Sequence, residues 1–215
     1  PNSVGNAIGM NVVNLNSNMI IEGGSYEIDG NGVFMACKSS ILNSNRNPGM
    51  TQTQAEQILT NYLGVTKFIW LNGVAGLEIT DMHIDGFARF GTPNTIVTMN
   101  QNDLLYWEVP QADITKLYAA TKADGTPYNF VYLPLTQNNV TTTWNANLGY
   151  KGSYVNFYTA NNKVLVPFYN DPNDEVARNI LQNLYPNHEV VGVDVRNLYK
   201  YGGMVHCVTQ QQPQQ

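Results

Sequence analysis

The sequence predicts an α+β fold built from a repeated ββαβ unit, and three observations carry that expectation. The order hairpin, helix, strand recurs three times along the 215 residues. Each copy occupies roughly 60–70 residues, the length of one supersecondary unit in a repeat protein. Turns rich in Gly and Asn fall at equivalent places in the copies, where φ > 0 is needed. Radial repeats must close or leave exposed edges. Three copies plus one further strand leave such a ring open, so the missing blades are expected from a second chain or from a removed N-terminal segment.

The elements follow in order. Residues 1–18 are small, polar and Asn-rich, and read as irregular. Met19 to Ile28 reads as a strand interrupted at Glu22-Gly23-Gly24, and Asp29-Gly30-Asn31-Gly32 as a hairpin turn into Val33 to Lys38. Thr51 with Gln54 three residues on forms a capping box. Ala55, Ile58, Leu59 and Tyr62 follow at helical spacing, Gly64 stops the helix, and Val65 to Leu71 closes the unit. The second unit has strands Met82 to Phe90 and Thr95 to Met99 around Gly91-Thr92-Pro93-Asn94. Its helix runs from about Pro110 to Lys122, and its closing strand from Tyr128 to Leu133. After a polar connector over 134–150, the third unit has Ser153 to Ala160, Val164 to Tyr169, a helix from Pro172 to Tyr185, and Val190 to Val195. That helix turns Val176, Ala177, Ile180, Leu181 and Leu184 inward. Met204 to Val208 reads as the first strand of a fourth copy, with Val205 and Cys207 on one face and His206 on the other.

Composition narrows the function classes. Hydrophobic residues make up 43% of the chain, enough for a sizeable core, whereas charged residues are only 13%. A net charge of −5 without a basic cluster argues against nucleic acid as a partner. No apolar run approaches the ~20 residues that span a bilayer, so no membrane partner is expected. Cys37 and Cys207 are too few for a disulfide framework, and Cys37 reads as an inert core thiol. The chain starts at Pro1, which suggests processing. With the charge-poor surface and the sequon Asn139-Val140-Thr141, it suggests a secreted protein.

The polar outliers form a pattern on this repeat. Glu22, His83 with Asp85, Asn156 and Cys207 fall on the first strands of successive units. In a ring those strands line the axis, so the five side chains are expected to converge. Singly, each has a plainer reading: Glu22 as a turn acid, His83 as a solvated histidine beside an acid, Cys207 as core. Asp171-Pro172-Asn173-Asp174-Glu175 lacks the spacing of a calcium loop and reads as a helix cap. Arg46 and Arg89 read as surface or structural pairs. His188 and His206 have no ligand-spaced partner, and no metal or other cofactor is expected.

Several stretches resemble the agmatine deiminase and Porphyromonas-type peptidylarginine deiminase family. They are Ile21-Glu22-Gly23-Gly24-Ser25, Asp29-Gly30-Asn31-Gly32, Leu42-Asn43-Ser44-Asn45-Arg46-Asn47-Pro48, Thr80-Asp81-Met82-His83-Ile84-Asp85, Ser153-Tyr154-Val155-Asn156-Phe157-Tyr158 and Val205-His206-Cys207-Val208-Thr209-Gln210-Gln211-Gln212-Pro213. The resemblance implies a five-bladed α/β propeller of the pentein type, of which this chain supplies about three blades and one strand. It also implies hydrolysis of a guanidinium to a ureido group, with Cys207 as nucleophile and His83 as acid and base. Asp85 would hold the guanidinium, Glu22 would orient His83, and Asn156 would sit near the reacting carbon.

The pattern departs from the family at two places. The family's further acid, from an earlier unit, has no counterpart before Glu22, so the partner segment is expected to supply that Asp. Ile8, within Gly5 to Met10, stands where agmatine deiminases carry Trp. The substrate expected from processing and charge is arginine in a peptide or protein. Agmatine is the alternative, and a non-catalytic structural or binding subunit is the reading from another class.

Overall fold

The computed structural model describes residues 2–9, 12 and 18–211. In chain order its elements are α1 (Asn2–Ala7), β1 (Tyr26–Ile28), β2 (Val33–Cys37), α2 (Lys38–Ile41), α3 (Gln52–Leu63) and β3 (Lys67–Leu71). The second unit has β4 (Ala88–Thr92), β5 (Thr95–Thr98), α4 (Gln101–Tyr106), α5 (Gln111–Tyr118) and β6 (Asn129–Tyr132). The third has β7 (Tyr158–Ala160), β8 (Lys163–Phe168), α6 (Asn173–Leu184) and β9 (Glu189–Asp194), and α7 (Arg196–Tyr199) follows. They make three separate three-stranded sheets, β1-β2-β3, β4-β5-β6 and β7-β8-β9. In each, the first two strands pair antiparallel as a hairpin and the third returns parallel to the middle strand. A parallel return needs a crossover, and a helix lies between the middle and last strands of every unit.

The first unit shows how sequence makes the layers. Asp29 Oδ1 accepts from the backbone N–H groups of Asn31 at 2.8 Å and Val33 at 2.9 Å, which closes the hairpin turn over Gly30 at φ 74°. Strand β2 is buried on both faces. Phe34 and Ala36 pack outward with Ala55 and Leu59 of α3, whereas Val33, Met35 and Cys37 join the core shared with the other two units. Helix α3 begins with the capping box: Thr51 Oγ1 accepts from Gln54 N–H, and Gln54 Oε1 accepts from Thr51 N–H. It ends at Gly64, left-handed at φ 67°.

The structure also corrects the sequence reading. Each unit's first strand is short, because the stretches carrying Glu22, His83, Asn156 and Cys207 do not pair as strands. They lie in or beside 3₁₀ turns at Gly23–Ser25, Ile84–Gly86 and His206–Val208, or in the extended run before β7. Left-handed backbone at Asp81 (φ 58°) and Met82 (φ 69°) turns the chain before His83 and prevents a continuous strand there. Residues 2–7 are helical, not irregular, although Gly5 sits inside that helix. Helix α4 was not foreseen, and Pro110 caps α5 from outside it. Val176 is exposed, not inward, and Tyr62, although at helical spacing with Ala55 and Leu59, is exposed too. Met10, Gln212 and Pro213 lie outside the described residues.

Thr51 supplies one end of the reciprocal cap, so Thr51→Ala should cost about 1 kcal/mol of stability. Urea unfolding followed by circular dichroism should show a lower midpoint with an unchanged slope.

Candidate active site

The three 3₁₀ turns touch one another, and the site is built where they meet. Gly24 sits at the centre. A Cβ added there would lie 2.6 Å from Asp85 Oδ2 and 2.7 Å from His83 Nδ1, so a side chain is excluded and the backbone fits between the two groups. The two-residue spacing of His83 and Asp85 still aims both at one place, through a turn and not a strand face.

Each group has fixed partners. His83 Nε2 is 2.9 Å from Glu22 Oε2, and the same oxygen accepts from Arg46 Nε at 2.6 Å. Arg46 also donates to Asp81 Oδ2 at 2.5 Å. Burial works against the charge on Glu22, but His83 and Arg46 outweigh it and hold its carboxyl below the usual range. Asp81 is held down at about 2, first by the Asn45 amide, then by Gly76 N–H and Arg46. Its network anchors the left-handed turn that delivers His83.

Asp85 is 1% exposed, and its Oδ2 is 2.8 Å from His206 Nδ1. Asn156, fully buried, donates from Nδ2 to the Asp85 carbonyl at 3.2 Å. Its Oδ1 accepts from His206 N–H at 2.8 Å and Cys207 N–H at 3.4 Å. Asn156 is therefore the joint between the second turn and the turn that carries Cys207. Cys207 is exposed, with its thiol 3.5 Å from Asn156 Oδ1 and 3.9 Å from Asp85 Oδ2. Desolvation and then the Asp85 charge push that thiol up to about 11, against weaker opposition from backbone hydrogen bonds and Asn156. Cys37 is fully buried, and its thiol is raised further still by burial.

Glu22, His83, Asp85, Asn156 and Cys207 are thus brought together, as the repeat argument expected. His83, Asp85 and Cys207 face a cavity of about 640 Å³ that Glu78, Trp107, Glu108 and Lys151 also line. Another cleft, of about 670 Å³ against α3, contains Arg46 but none of the nucleophilic or acid-base groups. Sequence reasoning missed His206, which a strand would have turned away from Cys207 and which the 3₁₀ turn buries against Asp85. It also missed the cavity-lining Trp107 and Glu108, which follow the unforeseen α4 and carry no motif. Arg46 and Arg89 are structural pairs, Arg89 with buried Glu27 at 2.7 Å. Asp171 accepts from the first helical N–H, that of Asn173, but also from Gln137 and Asn138 of the connector, so it ties the connector to the start of α6, whose N-cap position is Pro172. Among the described residues, no three His, Cys, Asp or Glu side chains are grouped to hold a metal ion, and no helix is long and apolar enough to cross a membrane.

A soft nucleophile, an imidazole on a carboxylate and a second, buried carboxylate around one cavity suit attack on a cationic carbon. Comparison with known proteins places the chain in a family. The chain is 35% identical over 210 residues to the agmatine deiminase of Pseudomonas syringae pv. tomato, covering 90% of this chain and 57% of that protein. Among solved structures it resembles the agmatine deiminase of Enterococcus faecalis, with a TM-score of 0.84 at 27% identity over 99% of this chain and 62% of the other. It also resembles a substrate-bound C315S agmatine deiminase of C. jejuni, with a TM-score of 0.75 at 31% identity over 94% and 58%. The chain therefore spans a little under two thirds of the length of these relatives. The model of the Porphyromonas-type peptidyl-arginine deiminase family matches residues 2–213, and the chain belongs to that family.

Proposed function

We propose that this chain carries the reacting groups of a guanidine deiminase, and that its substrate is agmatine. The observation that carries the reading is the shared cavity: the Cys207 thiol, the His83 imidazole and the buried Asp85 carboxylate all face it. Asp85 holds the guanidinium through paired N–H donors and sets its carbon before Cys207. Burial and the Asp85 charge raise the thiol; the bound cation offsets them, so the sulfur proton passes to His83 once substrate is present. The thiolate adds to the guanidinium carbon; ammonia departs with a proton from His83, leaving a thiouronium on Cys207. Neutral His83 then takes a proton from water, the water oxygen adds to that carbon, and the C–S bond breaks. The adduct's hydroxyl proton passes to the departing sulfur, which leaves a neutral ureido product and the Cys207 thiol, and His83 gives its proton to the released ammonia. Glu22 orients His83 throughout, and Asn156 holds the Cys207 turn in register.

Agmatine replaces the peptide substrate expected from composition because the relatives compared above are agmatine deiminases, including one with its substrate bound. The cavity wall is mixed in charge: Glu108 offers an anionic group to a second cationic end, Lys151 lies on the same wall, and Glu78 is already hydrogen-bonded to Thr80 and Met82. As part of the same proposal, the three sheets belong to a five-bladed ring, in which polypeptide beyond these residues supplies another guanidinium-binding carboxylate. The greater length of the solved relatives supports this.

The test is ureido formation from agmatine and from an arginine peptide. Cys207→Ala should lose at least roughly 10⁴-fold in turnover and His83→Ala roughly 10²–10⁴-fold, with circular dichroism unchanged. Near-native turnover by Cys207→Ala sinks the mechanism, and preference for the peptide sinks the agmatine assignment. Full activity from residues 1–215 alone removes the need for an outside carboxylate.

The raised thiol gives a separate expectation. Without substrate, alkylation of Cys207 by iodoacetamide should climb about tenfold per pH unit until the pH nears about 11. A plateau near neutral pH indicates a preformed thiolate and contradicts activation by substrate.

A further inference from the structure

The mechanism leaves one buried titratable group unused. His206 precedes the nucleophile, is 6% exposed, and is fixed at both ends: its backbone N–H donates to Asn156 Oδ1 and its Nδ1 meets Asp85 Oδ2 at 2.8 Å. The conformation makes this possible. Adjacent side chains in a strand point to opposite faces, whereas in a 3₁₀ turn they are about 120° apart, so His206 and Cys207 can both reach Asp85.

We propose that His206 is a positioning residue for guanidinium binding: its Nδ1–H holds the Asp85 carboxylate in the orientation that grips substrate beside Cys207. This rests on the proposed deiminase reading. A buried carboxylate with no donor either turns toward another partner or takes up a proton, and both forfeit a cationic ligand. The groups facing Asp85 are few. His206 is hydrogen-bonded to it, the Cys207 thiol is 3.9 Å away, and His83 lies across Gly24. Of these, His206 is the one placed to donate to Asp85 without itself taking part in the chemistry. Glu78, Glu108 and Lys151 line the same cavity without a hydrogen bond to the Asp85 carboxylate.

The geometry makes a sharp distinction between replacements. The Asn amide nitrogen hangs from Cγ as Nδ1 does, whereas the Gln nitrogen lies one carbon further out. His206→Leu should lower kcat/KM for agmatine by roughly 100-fold, mostly through a raised KM. His206→Asn should recover to within about tenfold of the native value, and His206→Gln should remain with Leu. If His206→Leu does not fold, the Asn and Gln variants, checked by circular dichroism, decide the matter. A second arm needs no turnover. In ¹⁵N-histidine spectra, His206 should carry a proton on Nδ1, and that signal should move in Asp85→Asn. Near-native kinetics for His206→Leu, equal rescue by Gln and Asn, or a His206 protonated solely on Nε2 overturns the proposal. A native chain inert toward agmatine refutes the deiminase reading, while the spectra still judge the His206–Asp85 pair.

Discussion

The buried ion pair between Arg89 and Glu27 ties the three units together. Arg89 Nε donates to Glu27 Oε1 at 2.7 Å, and another guanidinium nitrogen donates to the carbonyl of Phe157, whose ring lies 5.0 Å from the guanidinium carbon. Glu27 belongs to β1, Arg89 to β4, and Phe157 immediately precedes β7. One cation therefore links the first strand of the first two units to the threshold of the third. Both side chains are at most 7% exposed, and removing one partner of such a pair typically costs about 3–5 kcal/mol, because the other charge stays buried. The site depends on this junction. Glu22 and Asp85 lie a few residues upstream of Glu27 and Arg89, and Asn156 is next to Phe157, so the ion pair joins the segments that carry all three.

On this frame the electrostatics follow a single logic. Asp85 is buried with one imidazole for company, and Cys207 is held near it in a state unfavourable to the thiolate. The buried carboxylate and the raised thiol are thus side by side on one cavity wall, with the Cys207 sulfur 3.9 Å from Asp85 Oδ2. On the proposed function, a guanidinium would bring the compensating positive charge to the place where its carbon is attacked. Glu22 is arranged differently. Its side chain is 45% exposed and it shares one oxygen between His83 and Arg46, which together hold its carboxyl below the usual range.

Much of this was legible in the sequence. The repeat, the capping box at Thr51 and Gln54, the Asp29 to Gly32 turn and the convergence of five polar side chains all follow from local patterns. These patterns survive because two-residue alternation and helix caps act over a few residues. What was lost is non-local. Glu22 and Cys207 occupy 3₁₀ or extended backbone because neighbouring turns, and not strands, satisfy them. The left-handed Asp81 and Met82 have no glycine to announce them; Asp81 is held by Asn45 and Arg46 from elsewhere in the chain, and Met82 by nearby Glu78. His206 was set aside for want of a ligand-spaced partner; its partner, Asp85, is remote in sequence.

The central claim is that the cavity seats a planar amidinium cation on Asp85 against the Cys207 sulfur. Its most direct measurement compares two alkylating agents that differ in charge, 2-chloroacetamidine and neutral 2-chloroacetamide, with the labelled cysteine identified by peptide mass spectrometry. The account predicts that the cation modifies Cys207 and spares Cys37, at a rate well above that of the amide. It also predicts that Asp85→Asn erases the difference. Equal rates for the two reagents on the native chain, or a preference that survives in Asp85→Asn, would contradict it.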